Sequence, residues 1–340
     1  MDFKEYVGTH KAEIYTEIMK YLPVKPPYEH YMIAREYSER QGSYRRPGLL
    51  FLCGEMFGAK KADLLLPSAA MQISEDWILI HDDVEDDSEM RRGKPALHKL
   101  YGKEIAINAG DAVHLAMWKI VKDYMERAGP KPGGRFFDYF YNMLQYTVEG
   151  QYVETNFIYN TRDMGKANEE LYYRIIGSKT CFYSVYGPMQ LGAIVAGEDQ
   201  ETLKMLQDIG SPAGIAFQIT DDILDMTADE KVFGKQRYGD LYEGKLTLII
   251  LHAYKHADQH EKTKINRIYR KGRGEKNKKE IEFLVKVIEK YGSLEYAKKE
   301  AGRYGHMAKQ AAQKYGSLLP DNRYRPILMS AIEELYMRKK

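Results

Sequence analysis

An all-α fold is the expectation for this chain, read as one large domain over residues 1–340. Three observations carry it. Apolar residues recur at three- and four-residue spacing along most of the length, the period that lays them on one helix face. No run of period-two alternation bounded by hairpin turns interrupts them. No composition shift, internal repeat or low-complexity stretch marks a boundary within the 340 residues. Length alone would allow two domains, but a buried helical bundle can use most of it.

The elements follow in order. The segment ending at Asp87 carries Ala69, Ile73, Trp77, Ile80 and Val84 on a helical stripe. It is closed by Arg91 and Arg92 and then Gly93-Lys94-Pro95, the order of a helix stop. Helices are predicted near 104–127, 135–158, 168–196, 201–225, 245–257, 278–290 and 325–338. Breaks are predicted at 128–134, 160–165 and 316–326, where glycine, proline and small polar residues cluster. Thr180 to Gly197 carries no charge, which raises the question of a membrane span. Ser184, Gln190 and Gly192 argue against one, so the stretch reads as a buried helix kinked or broken near Gly187-Pro188. The basic run Tyr269–Lys279 holds two glycines and no interleaved stacking aromatics. It reads as a solvated interhelical loop rather than a nucleic-acid patch.

Composition narrows the function. Hydrophobic residues are 44% and charged residues 29%, which excludes a disordered chain. Lys+Arg is 51 and Asp+Glu 49, so the net charge of +2 gives no bulk reason to bind nucleic acid. Cys53 and Cys181 are too few for a disulfide framework or a cysteine-built zinc site. Met1–Glu5 lacks the basic-then-apolar order of a signal peptide, so a reducing, cytoplasmic setting is expected.

The carboxylates carry the chemistry. Asp82-Asp83-Val84-Glu85-Asp86 and Asp221-Asp222-Ile223-Leu224-Asp225 share one i, i+1, i+4 spacing, and each follows an apolar helical run. Residues four apart lie on one face, which pairs Asp82 with Asp86 and Asp221 with Asp225. One such cluster alone would most simply be a solvated face. Two facing clusters of hard oxygen donors suit Mg²⁺, which shares its coordination with phosphate oxygens. A diphosphate between them needs donors of positive charge. Arg91, Arg92, Lys179 with Thr180, and Lys235 all stand beside the clusters.

These residues lie in motifs that resemble the trans-isoprenyl diphosphate synthase (polyprenyl synthetase) family. HDDVEDDSEMRRGKPALH at 81–98 is similar to its first aspartate-rich motif and YGKEIAINAGDA at 101–112 to the helix that follows. Lys179-Thr180, FQITDDILD at 217–225 and FGKQRYGDLYEGKLT at 233–247 follow in the family's order. The resemblance implies an all-α bundle around a deep central cavity (the isoprenoid synthase fold), a homodimer and up to three Mg²⁺ ions. It implies Asp82, Asp86, Asp221 and Asp225 as metal ligands, and Arg91, Lys179 and Lys235 as holders of the allylic diphosphate. Thr180, Gln218 and Asp222 would line the reacting region, and Arg46 and Arg92 would bind isopentenyl diphosphate. Trp77 and Ile78, five and four positions before Asp82, would form the floor that sets a 15- to 20-carbon product.

Two departures concern the isopentenyl diphosphate pocket. Ser43 stands where the family has lysine in Gly-Lys-x-x-Arg-Pro, and Glu75 where it has histidine or glutamine seven residues before the first aspartate. Glu75 is expected to pair with Arg45 or Arg46, with Arg45 replacing the missing lysine. The alternatives are a class I terpene synthase using only an allylic diphosphate, and a non-catalytic subunit of a heteromeric synthase.

Overall fold

The computed structural model describes residues 1–227 and 237–336. Helices follow one another: α1 (Phe3–Tyr21), α2 (Tyr28–Arg40), α3 (Arg45–Met56), α4 (Lys61–Glu85), a short α5 (Leu97–Tyr101), α6 (Lys103–Ala128) and α7 (Pro130–Asn156). Next, α8 (Glu169–Ile176) runs through a π-helical stretch, Gly177–Tyr186, into α9 (Gly187–Ala196). The rest are α10 (Gln200–Thr227), α11 (Gly239–Glu243), α12 (Leu248–His256), α13 (Gln259–Tyr269), α14 (Lys278–Lys290), α15 (Ser293–Lys314) and α16 (Arg325–Tyr336). The all-α expectation holds. No helix among the described residues is long and apolar enough to cross a membrane.

Several local expectations change. The stop after the first cluster is a two-residue hairpin, Met90–Arg91 against Lys94–Pro95. Its turn residues Arg92 and Gly93 both take positive φ, which suits the twist of so tight a turn. The break at 128–134 shrinks to Gly129, because Pro130 opens α7, where its missing N–H costs nothing. At Gly187-Pro188 the chain is not broken; the π-helical stretch gives way there to α9. The Gly187 N–H bonds to the Phe182 carbonyl five residues back, and Pro188 follows at the start of α9, where the bonding pattern changes register. Helices α1–α3, α5, α11, α13 and α15 lie outside the predicted segments. α15 buries Ala297, Ala301, Gly305, Ala308 and Ala312 against its neighbours, a stripe too small to register as apolar periodicity.

Two apolar clusters form the interior. One joins α1, α3, α4, α6, α7 and α9 through residues such as Phe3, Leu50, Ile73, Val113, Phe140 and Leu191. The other gathers Ile176, Leu248, Ile265, Leu284 and Ala297. α10 enters both, with Leu206 and Ile209 in the first and Ile219 and Met226 in the second. Each fully buried large aliphatic contributes about 1.5–3 kcal/mol. This double anchoring holds the second aspartate cluster, which rides on the last two turns of α10.

Candidate active site

A cavity of about 570 Å³ lies between α3, α4, α7, the π-helical stretch and α10, with Asp82 and Asp221 in its walls. One adjoining space is lined by Asp82, Asp86, Asp225 and Asp240. Another is lined by Asp221, Asp222, Asp225 and Lys179. Asp82 lies in the last turn of α4, and Asp86 caps it, its N–H bonding to the Asp82 carbonyl at 2.8 Å. The two acidic clusters therefore border one continuous region.

Two glycines bring the walls together. A Cβ at Gly150 of α7 would come within 2.9 Å of the Lys179 backbone nitrogen. One at Gly214 of α10 would come within 2.8 Å of the Cys181 Cα. Only glycine permits this approach, and it sets Lys179 and Thr180 against α7 and α10. The wide turns of the π-helical stretch put Lys179, Thr180, Tyr183 and Ser184 all on the cavity.

Each charge has partners. Lys179 Nζ lies 2.6 Å from Glu154 and 3.4 Å from Asp82. Burial pulls its ammonium down, but these carboxylates together outweigh it and hold it above its ordinary value. Lys245 pairs with Asp86 at 2.8 Å and Glu243 at 2.7 Å. Burial raises the Asp86 carboxyl to about 7, with Asp82 and Glu243 adding to the effect and Lys245 opposing it. Arg91 Nε bonds both oxygens of Asp83 at 3.0 Å and its Nη2 lies 3.8 Å from Asp82. Asp222 accepts from Tyr172 at 3.0 Å and Gln218 at 2.8 Å, and Gln218 accepts from Thr180 at 2.8 Å. Lys235 lies outside the described residues.

The pocket lined by Ser43, Arg45, Arg46, Glu75 and Arg92 opens into the same cavity. Here the pairing of Arg45 is corrected. Arg45 binds Glu334 of α16 at 3.0 Å, while Arg46 holds Glu75 at 3.1 Å and Arg92 reaches it at 3.6 Å. Consecutive residues of α3 point about 100° apart, so only one of the two arginines can turn toward α4. Burial pushes the Glu75 carboxyl up, but Arg46 and then Arg92 outweigh it and hold it below its ordinary value. Arg92 also binds Asp76 at 2.8 Å.

Trp77 and Ile78 both line the cavity. The Trp77 ring stacks on His114 of α6 with centroids 4.0 Å apart and planes 12° apart. Asp83, named within the first cluster but given no role, anchors Arg91, and Glu154, which pattern reading passed over, anchors Lys179. Gln151 also went unnoticed; it reaches Glu85 at 2.5 Å and Asp82 at 3.4 Å. Lys245 sits inside the motif at 233–247 and could have been read from it. Nothing in the spacing of α7 marks Glu154 or Gln151. The basic run is corrected too: Lys276 is buried, donating to the Leu241 and Tyr242 carbonyls, and Arg273 bonds Asp86 and Glu243.

The polyprenyl synthetase family model matches residues 29–288. The chain belongs to the polyprenyl synthetase family. It is 32% identical to geranylgeranyl diphosphate synthase of Methanosarcina mazei over 304 residues, 89% of each chain. It is 33% identical to geranylfarnesyl diphosphate synthase of Aeropyrum pernix over 79% of this chain and 82% of that one. Among solved structures, geranylgeranyl pyrophosphate synthetase of Pyrococcus horikoshii superposes with a TM-score of 0.85 at 29% identity, covering 99% and 98% of the two chains. The family's members are prenyltransferases, so this chain is identified as a prenyltransferase of the short-chain kind.

Proposed function

We propose that the chain condenses an allylic diphosphate with isopentenyl diphosphate to a 15- to 20-carbon product, geranylgeranyl diphosphate ahead of farnesyl diphosphate. The observation that carries this is the convergence of both aspartate clusters and Lys179 on one apolar-floored cavity.

The acidic residues fit Mg²⁺ in a particular way. Among the described residues no three His, Cys, Asp or Glu side chains stand close enough to hold a metal by themselves. Hard oxygen donors on facing walls suit an ion that completes its octahedron with phosphate oxygens and water. Asp82 and Asp86 would hold it from α4, and Asp221 with Asp225 from α10. Bound there, it would withdraw charge from the diphosphate as the allylic C1–O bond breaks. Lys179 and Arg91 hold the departing diphosphate in place, each oriented by its own carboxylate, Glu154 or Asp83. Thr180 and Gln218, locked to each other, face the region where the cation forms. The alkene of isopentenyl diphosphate, held through Arg46 and Arg92, attacks C1. The proton lost afterwards goes to the released diphosphate. Trp77, Ile78, Leu79 and Phe217 keep water from the cation.

Glu75 shares the charge of the two arginines meant for isopentenyl diphosphate, so its removal should help. Glu75→Gln is expected to lower the KM for that substrate by about tenfold, near 1.4 kcal/mol. Arg45→Ala is expected to change it little, because Arg45 is engaged by Glu334. Steady-state kinetics checks both. Product length should rest on Trp77, because a close-packed floor cannot give way around an indole without strain. Chromatography of dephosphorylated products should show Trp77→Ala moving to longer chains. A wild-type product beyond 25 carbons would refute the short-chain assignment.

A homodimer fits the exposed apolar residues Ile105, Ile107 and Leu115 of α6 with Tyr141, Val148 and Tyr152 of α7. Residues 1–340 are read as one domain because α10 enters both clusters. A cytoplasmic setting fits Cys53 and Cys181, both buried and neither in a disulfide.

A further inference from the structure

A ring of charge closes over the end of α4 and draws on three distant segments. The Asp86 carboxylate accepts Lys245 Nζ at 2.8 Å, and the same ammonium lies 2.7 Å from Glu243. Glu243 in turn accepts from Arg273 Nη1. That nitrogen also donates to the backbone carbonyl of Asp86 at 3.0 Å, which returns the circuit to its start. All four side chains are between 10% and 20% exposed, so solvent screens the ring weakly.

The segment carrying Arg273 is itself held. Tyr269 Oη donates to the Lys245 carbonyl at 3.3 Å. Gly272 N–H bonds Glu275 at 2.6 Å across a short 3₁₀ turn, Arg273–Glu275. Lys276 Nζ donates to the Leu241 and Tyr242 carbonyls at 3.1 and 2.7 Å. The loop therefore grips residues 241–245 through their backbone, and Arg273 is delivered to Glu243 and Asp86 together.

We propose that Arg273 is a positioning residue for the allylic diphosphate. It fixes the Asp86 backbone at the helix end, where a cation is favoured by the unsatisfied carbonyls. It also shares the charge of Glu243, so that Glu243 holds Lys245 in place without neutralising it. When a cation and diphosphate engage Asp86, the Lys245 ammonium is then left beside the phosphate oxygens. Without Arg273, Glu243 bears more strongly on Lys245 and the phosphate meets a more fully quenched charge. This rests on the reading that Asp86 and Lys245 serve the allylic diphosphate.

Calorimetry with unreactive geranyl thiodiphosphate and Mg²⁺ tests it on the whole chain, beside steady-state kinetics. Arg273→Gln should weaken binding by about tenfold, between the effect of an exposed ion pair and that of a buried one. The KM for the allylic diphosphate should rise in parallel, while the KM for isopentenyl diphosphate and product length stay the same. Arg273→Lys should recover most of the loss, and it serves alone if the glutamine variant does not fold: it must then bind within about threefold of wild type, because it keeps the charge and loses only the fork. Unchanged thiodiphosphate affinity in Arg273→Gln, equal rises in both KM values, or failure of Arg273→Lys to bind would overturn the inference. Lys245→Gln separates the two levels. If it weakens binding and Arg273→Gln does not, only the role of Arg273 falls. If neither does, the underlying site reading falls with it.

Discussion

Asp82→Ala and Asp221→Ala should each lower turnover by about a thousandfold or more. Each removes a carboxylate from one wall of the region where the diphosphate leaves. Charge stabilisation by a catalytic metal amounts to several kcal/mol, and each 1.36 kcal/mol is tenfold in rate. Asp82 is also the carboxylate that Lys179 and Gln151 both approach, at 3.4 Å. The alanine variant thus loses an orienting partner for the lysine as well. Steady-state kinetics with saturating Mg²⁺ and an allylic diphosphate reads the effect. Turnover near wild type in either variant would remove these residues from the reaction.

Arg92→Ala should produce the largest loss of stability. Asp76 is 1% exposed and Glu75 8% exposed, and Arg92 is the cation bound to the first and shared by the second. Ser38 still donates to Asp76 at 2.6 Å and Gln72 at 3.1 Å, but neither brings charge. Breaking a buried pair from one side leaves an uncompensated charge, at a cost of about 3–5 kcal/mol. Urea denaturation should show that loss, and the double change Arg92→Ala with Asp76→Asn should recover much of it. A midpoint equal to wild type for Arg92→Ala would mean that Asp76 and Glu75 do not depend on this arginine.

The two kinds of information in the chain were not equally legible. Helices built on large apolar stripes, such as α6 and α10, can be read from periodicity to within a few residues, and so can the end of α4. α15, buried through alanine and glycine, cannot, because small side chains give a weak stripe however completely they are buried. The same division runs through the site. Asp82, Asp86, Asp221 and Asp225 announce themselves by repeated spacing. Glu154, Gln151 and Arg273 act on them from α7 and from a loop 187 residues beyond Asp86, and only the packed structure reveals such pairings. The choice of Arg46 over Arg45 for Glu75 depended on which way α3 turns relative to α4. Local pattern leaves that rotation open, and the tie of Arg45 to α16 resolves it.

The central claim is that two diphosphates react in this cavity, one ionised between the aspartate clusters and one held by Arg46 and Arg92 despite Glu75. Radiolabelled geranyl or farnesyl diphosphate, incubated with Mg²⁺ in the presence and absence of isopentenyl diphosphate, tests it most directly. Elongated diphosphates of 15 to 20 carbons should form only when isopentenyl diphosphate is added. Cyclic or hydroxylated hydrocarbons formed equally without it would instead mark an enzyme that uses the allylic substrate alone, and no product under either condition would mark a non-catalytic subunit.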